Sequence, residues 1–141
     1  MTGSLYAGDV LPSKAWDILQ TEPDAVLIDV RTNAEWAFVG VPDLSSLGRN
    51  TVLIEWQRYP DMATNPEFAG EVKAHGVQPD RTVLLICRSG QRSRHAAIAL
   101  TGAGFERCLN VAEGFEGDLD AARHRGAAGG WKAAGLAWAQ S

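Results

Sequence analysis

Cysteine is scarce in this sequence: its 141 residues include two, Cys87 and Cys108. Two thiols cannot build a disulfide scaffold, and neither sits in a CxxC pair or a Cys/His cluster of zinc spacing. No metal and no cofactor is therefore expected. Positive charge is not in excess either. Thirteen Lys and Arg against seventeen Asp and Glu leave a formal net charge of −4, which gives no general attraction for nucleic acid or an anionic membrane. Any affinity for anions must come from a local site. No segment approaches the roughly 20 apolar residues that span a bilayer. The first residues, Met1 to Gly8, lack a basic stretch followed by an apolar one, so no secretory signal is expected. A reducing cytoplasm is the expected location, with both thiols free.

What is present is an ordinary globular composition, 45% hydrophobic and 21% charged, in a chain long enough to bury a core. With no internal repeat and no linker, residues 1–141 are expected to form one domain. Pro12 to Gln20 reads as a helix, with Pro12 in its first turn and Ala15, Trp16, Ile18 and Leu19 on its apolar face. Ala25 to Val30 is a continuous apolar run broken only by Asp29, as in a strand buried on both faces. Thr32 and Glu35 fit a capping box, so a short helix carrying Trp36 starts there. Thr51 to Trp56 is a second strand, and Tyr59 to Asn65 is irregular. Asn65 caps a helix running from Pro66 towards Gly76. Thr82 to Ile86 is a third strand, Gln91 to Thr101 a helix, and Arg107 to Val111 a fourth strand. Gly- and Ala-rich residues follow, and Trp131 to Trp138 closes the chain as a short helix or turn. This alternation predicts an α/β domain, a mostly parallel sheet flanked by helices. Ligands of such sheets collect at the carboxyl ends of strands, where Asp29 and Cys87 lie.

The third strand stops at Cys87-Arg88-Ser89-Gly90-Gln91-Arg92-Ser93. Between a strand end and a helix start, unpaired backbone N–H groups and the helix dipole form an anion site. The donors that bind an anion also favour a thiolate over a thiol. Arg88 and Arg92 add positive charge, and Gly90 gives the loop the freedom to close around its first residue. Cys108, flanked by Leu109 and Val111, reads instead as a small buried hydrophobe. Taken alone, either arginine could be a solvated surface charge. His75 and His95 read as surface or packing residues, and His124 could approach the site.

Three segments together resemble the rhodanese-like sulfurtransferases. They are Cys87 to Ser93; Leu27-Ile-Asp-Val-Arg31 with Glu35-Trp36; and Asn110-Val111 with Gly114 and then Gly130 to Leu136. The sequence departs from the family at Val39-Gly-Val-Pro42, which has no histidine, and in the separation of Gly114 from Trp131, an insertion at about 115–130 expected to lie beside the cysteine loop. The resemblance implies a rhodanese-like three-layer fold and a persulfide on Cys87. Sulfane sulfur would come from a small-molecule donor such as thiosulfate and pass to a thiophilic acceptor: cyanide, a cellular thiol or a protein sulfur acceptor. Arg88, Ser89, Gly90, Gln91, Arg92 and Ser93 would bind the donor. Asp29, Arg31 and Glu35 would support the loop, Asp29 and Arg31 as an ion pair. Arg92 is left two roles, meeting the donor or turning inward to Asp29 or Glu35. The competing readings are a sulfur-relay or protein-binding module without thiosulfate turnover, and a cysteine phosphatase or arsenate reductase. The latter resemble C-x5-R, whereas Cys87 to Arg92 leaves four residues between.

Overall fold

The computed structural model of the protein describes residues 5–58, 63–117 and 130–139. In chain order the elements are β1 (Gly8–Val10), α1 (Pro12–Thr21), β2 (Val26–Asp29), α2 (Asn33–Val39), β3 (Val41–Pro42), β4 (Val52–Leu53), β5 (Gln57–Arg58), β6 (Ala63–Thr64), α3 (Phe68–Ala74), β7 (Thr82–Ile86), α4 (Gln91–Gly102), β8 (Arg107–Val111), α5 (Gly130–Ala133) and β9 (Trp138–Ala139). β1, β8, β7, β2 and β4 form, in that order, a five-stranded sheet in which every pairing is parallel.

Continuous apolar runs become central strands because both of their faces are covered. Alternate residues of β7 divide between two cores. Val83 and Leu85, with Cys87 beyond them, join Phe68, Val72, Ala96, Ala97 and Leu100 on the α3/α4 side. Leu84 and Ile86 join Ala15, Leu19, Phe115 and Trp131 on the α1/α5 side. The expected layering of helices about a parallel sheet is thus present. On α4 the buried positions are Ser93, Ala96, Ala97 and Leu100, the i, i+3, i+4, i+7 stripe of a helix with one face inward.

Several boundaries differ from expectation. The Asn65 side chain accepts from the Glu67 N–H at 2.9 Å, but the α-helix begins only at Phe68; the cap orders the turn before the helix. Thr64, within the segment expected to be irregular, pairs with Gln57 in a two-stranded antiparallel sheet. Trp131 is fully buried and meets Trp16 edge-on at 5.8 Å. Trp138, by contrast, is 41% exposed and lies on β9, which pairs with β3 across Val41–Ala139 and Pro42–Trp138. Of the expected insertion, residues 118–129, including His124, lie outside the described residues. Among the described residues no helix is long and apolar enough to cross a membrane.

Candidate active site

The sheet order fixes where the site lies. From β2 the chain moves outward to β4, then crosses back to β7 and onward to β8. β2 and β7 are therefore neighbours at the point where strand order reverses, the crevice where parallel sheets hold ligands. Asp29 pairs with Ile86, and the Val30 N–H donates to the Ile86 carbonyl at 2.9 Å. Asp29 and Cys87 thus reach the same edge of the molecule.

Cys87 packs its side chain against α4 and is 1% exposed. Its Sγ receives the Gly90 N–H at 3.1 Å and lies 3.2 Å from the Ser93 hydroxyl oxygen. Gly90 caps α4 with φ +107°, a left-handed conformation that glycine adopts without strain. The loop carbonyls point the other way, into the segment after β8. The Phe115 N–H donates to the Cys87 carbonyl at 2.8 Å, and Glu116 and Gly117 donate to the Arg88 carbonyl at 3.0 and 3.2 Å. Gly114 is the close approach in this strap: a Cβ there would stand 2.4 Å from the Cys87 oxygen, and its φ is +61°. The start of the expected insertion accordingly lies against the cysteine loop.

Two ion pairs lie on the β2–α2 side, and one of them, Arg92–Glu35, ties the loop to α2. Arg31 grips Asp29 with two parallel bonds, Nε to Oδ1 at 2.9 Å and Nη2 to Oδ2 at 2.6 Å, with both side chains fully buried. Nη2 also donates to the Gly40 carbonyl at 2.6 Å, and the guanidinium lies 4.3 Å from the centre of the Phe115 ring. This is the ion pair expected at the strand end. Arg92 donates from Nη1 and Nη2 to the two Glu35 oxygens at 2.7 and 2.9 Å. Burial alone would raise the Glu35 carboxyl. The hydrogen bonds and charge of Arg92, with help from Thr32, more than offset it and hold the group at about 2. The Thr32 hydroxyl and Glu35 complete the capping box of α2, so one carboxylate both starts a helix and anchors the loop.

The remaining loop residues divide by exposure. Ser93 is fully buried and Arg92 half-buried. Arg88 and Gln91 are exposed, and Ser89 and Gly90 half-buried. Of the two roles left open for Arg92, the geometry supports bracing through Glu35, while Arg88, the residue after Cys87, has an exposed guanidinium. A cavity of about 550 Å³ opens beside the loop, bounded by Tyr6, Asp9, Ser89, Gly90, Arg94 and His95 among others, and Cys87 does not line it. His75 is exposed, with Nδ1 2.9 Å from the Glu71 carbonyl. Cys108 is fully buried, and burial pushes its thiol up to about 11. Among the described residues no His, Cys, Asp and Glu cluster could hold a metal ion.

The family described as the rhodanese-like domain matches residues 11–121. The chain belongs to the rhodanese-like domain family. A crystal structure of Rv0390 from M. tuberculosis is similar to it at 51% identity and a TM-score of 0.88, covering 96% of this chain and 99% of that one. An uncharacterized protein of Rickettsia conorii, RC0915, is 33% identical over 130 residues, 92% of this chain and 95% of its own. The thiosulfate sulfurtransferase GlpE of Actinobacillus succinogenes is 28% identical over 109 residues, 77% of this chain and 81% of its own. The family and its fold are thereby shown, with distant homology to thiosulfate sulfurtransferases. Sequence reasoning missed Asp9, whose carboxylate accepts from Asn110 of β8 at 2.9 Å. No local motif marks it, because it reaches this site only through the pairing of β1 with β8.

Proposed function

We propose that the chain is a sulfurtransferase that carries sulfur as a persulfide on Cys87. The Cys87 thiolate attacks the outer sulfur of a donor such as thiosulfate. The new bond is Cys87 S–S, the bond broken is sulfur to sulfonate, and sulfite leaves with the electron pair. A thiophilic acceptor (cyanide in an assay, a cellular thiol or a protein thiol in a cytoplasmic setting) then attacks the outer persulfide sulfur and restores the thiolate. This is covalent catalysis by an activated cysteine.

The observation that carries the reading is the position of Sγ, at the end of β7, 3.1 Å from the Gly90 N–H at the start of α4. That amide and the helix dipole favour negative charge on sulfur, and they act as fixed donors of the oxyanion-hole kind for the persulfide. Arg88, which follows Cys87 in the chain and is exposed, is the group we assign to the anionic sulfonate. Arg92 and Glu35, Asp29 and Arg31 hold the loop's shape. The phosphatase reading is disfavoured by the same geometry. The arginine that ends the loop has both terminal nitrogens bonded to Glu35 and is not free to cradle a phosphate. The test is thiosulfate:cyanide turnover. Cys87→Ser abolishes it in a folded protein on this account, and full activity in that variant would refute it. Persulfidation without turnover would instead favour a sulfur-relay module.

A further inference from the structure

Ser93 makes two contacts with one proton. Its oxygen lies 2.5 Å from Asn110 Oδ1 and 3.2 Å from Cys87 Sγ, and a hydroxyl can donate to only one of them at a time. What decides between them lies further out. The Asn110 amide nitrogen donates to Asp9 Oδ1 at 2.9 Å, and the Tyr6 hydroxyl donates to the same oxygen at 2.9 Å. A carboxylate only accepts, so Asp9 fixes the amide with nitrogen towards itself and oxygen towards Ser93. Ser93 is 0% exposed and sealed from solvent, whereas Asn110, 4% exposed, borders the cavity beside the loop. The sheet register sets up the arrangement: Asp9 pairs with Asn110 and Asn110 with Leu85, two residues before Cys87.

From this we infer that Asp9 is a positioning residue for the nucleophile: through Asn110 it draws the Ser93 proton away from Cys87. With its proton on Asn110, Ser93 presents a lone pair to sulfur. That lone pair accepts from an S–H and repels a thiolate. Forming the thiolate or the persulfide requires the hydroxyl to turn and donate to sulfur, giving up Asn110. The inference rests on the sulfurtransferase reading for its role in catalysis, but the relay itself does not. Other charged or titratable groups around the relay are Arg94 and His95 on α4, which line the same cavity as Asp9, Arg92 on α4, Asp29 at the end of β2, the exposed Arg88, and Glu113 and Glu116 after β8. None of them bonds to Ser93 or Asn110 among the described residues.

Replacing the carboxylate by an amide tests the relay. In Asp9→Asn, residue 9 gains a donor, the Asn110 amide is free to turn over, and the Ser93 proton is released to sulfur. Asp9 is exposed, so the fold tolerates the change. The measurement is the rate of Cys87 alkylation by iodoacetamide across pH, read by peptide mapping so that Cys108 is counted apart. A hydrogen bond to a charged group is worth enough to raise the neutral-pH rate about tenfold or more. Loss of one negative charge could by itself favour thiolate, so the comparison is repeated in a Ser93→Ala background. The relay predicts that the gain disappears there. An unchanged rate in Asp9→Asn, or the same gain without Ser93, would overturn it. Alkylation involves no sulfur donor, so failure of sulfur transfer with the alkylation pattern intact would remove the sulfurtransferase reading and leave the relay standing.

Discussion

Arg88 and Arg92 lie on one loop and carry the same charge, yet their surroundings differ. Arg92 is held by a carboxylate whose own position is fixed by a capping box. Arg88 is exposed and has no carboxylate partner among the described ion pairs. An exposed guanidinium one residue along the chain from the nucleophile can meet an incoming anion without breaking an existing bond, whereas Arg92 would first have to abandon Glu35. Arg88→Ala should therefore raise the apparent KM for thiosulfate about tenfold, the loss of one charge-assisted contact, with kcat much less affected. Steady-state kinetics separates the two, and an unchanged KM would remove Arg88 from donor binding. The sequence left the role of Arg92 open between meeting the donor and turning inward to Asp29 or Glu35. The reason it bonds to Glu35 is not local: Arg31, two residues beyond Asp29, already occupies both Asp29 oxygens.

The cysteine loop is not a free-standing element; it is clamped between α2 and the strap after β8. On the strap side, Gly114 has no room for a side chain. Gly114→Ala places a Cβ against two loop peptides at a positive φ, which should cost about 2–4 kcal/mol. Chemical denaturation measures this, and Gly102→Ala is the control, since a Cβ there meets nothing within 4 Å. Equal effects at the two positions would contradict the clamp. On the α2 side the brace depends on an ionised Glu35. Its carboxyl is lowered from 4.5 to about 2, so the brace contributes fully above pH 4.5 and is lost as pH falls towards 2. The stability difference between wild type and Glu35→Gln should be about 2–3 kcal/mol at neutral pH. It should hold down to about pH 4.5 and shrink below it. A difference that already shrinks between pH 7 and 5 would exclude this brace. These elements were legible where their signals are local. The apolar run of β7, the capping box of α2 and the turn into α4 all appear where the sequence put them. β1, β9 and the β5–β6 pair were not legible, because each strand is two or three residues long, and β1 and β9 exist only by pairing with strands distant in sequence.

At the scale of the whole molecule, the path of the chain assembles the site from pieces that are far apart in sequence. Reversal of strand order between β2 and β7 brings Asp29 and Arg31 beside the cysteine loop. The edge pairing of β1 with β8 carries Asp9 to Asn110 across a separation of 101 residues. Motifs within one segment, such as Cys87 to Ser93, could be read directly. A residue such as Asp9, whose relevance depends on which strands adjoin, could not. The central claim is that Cys87 carries sulfur covalently and reversibly, and intact-protein mass spectrometry tests it most directly. Wild type and Cys87→Ser would each be incubated with thiosulfate, then with cyanide or a thiol. The account predicts a gain of about 32 Da, one sulfur, on wild type alone, lost again on adding the acceptor. No adduct on wild type with thiosulfate or another sulfane donor, or the same adduct on Cys87→Ser, would contradict it.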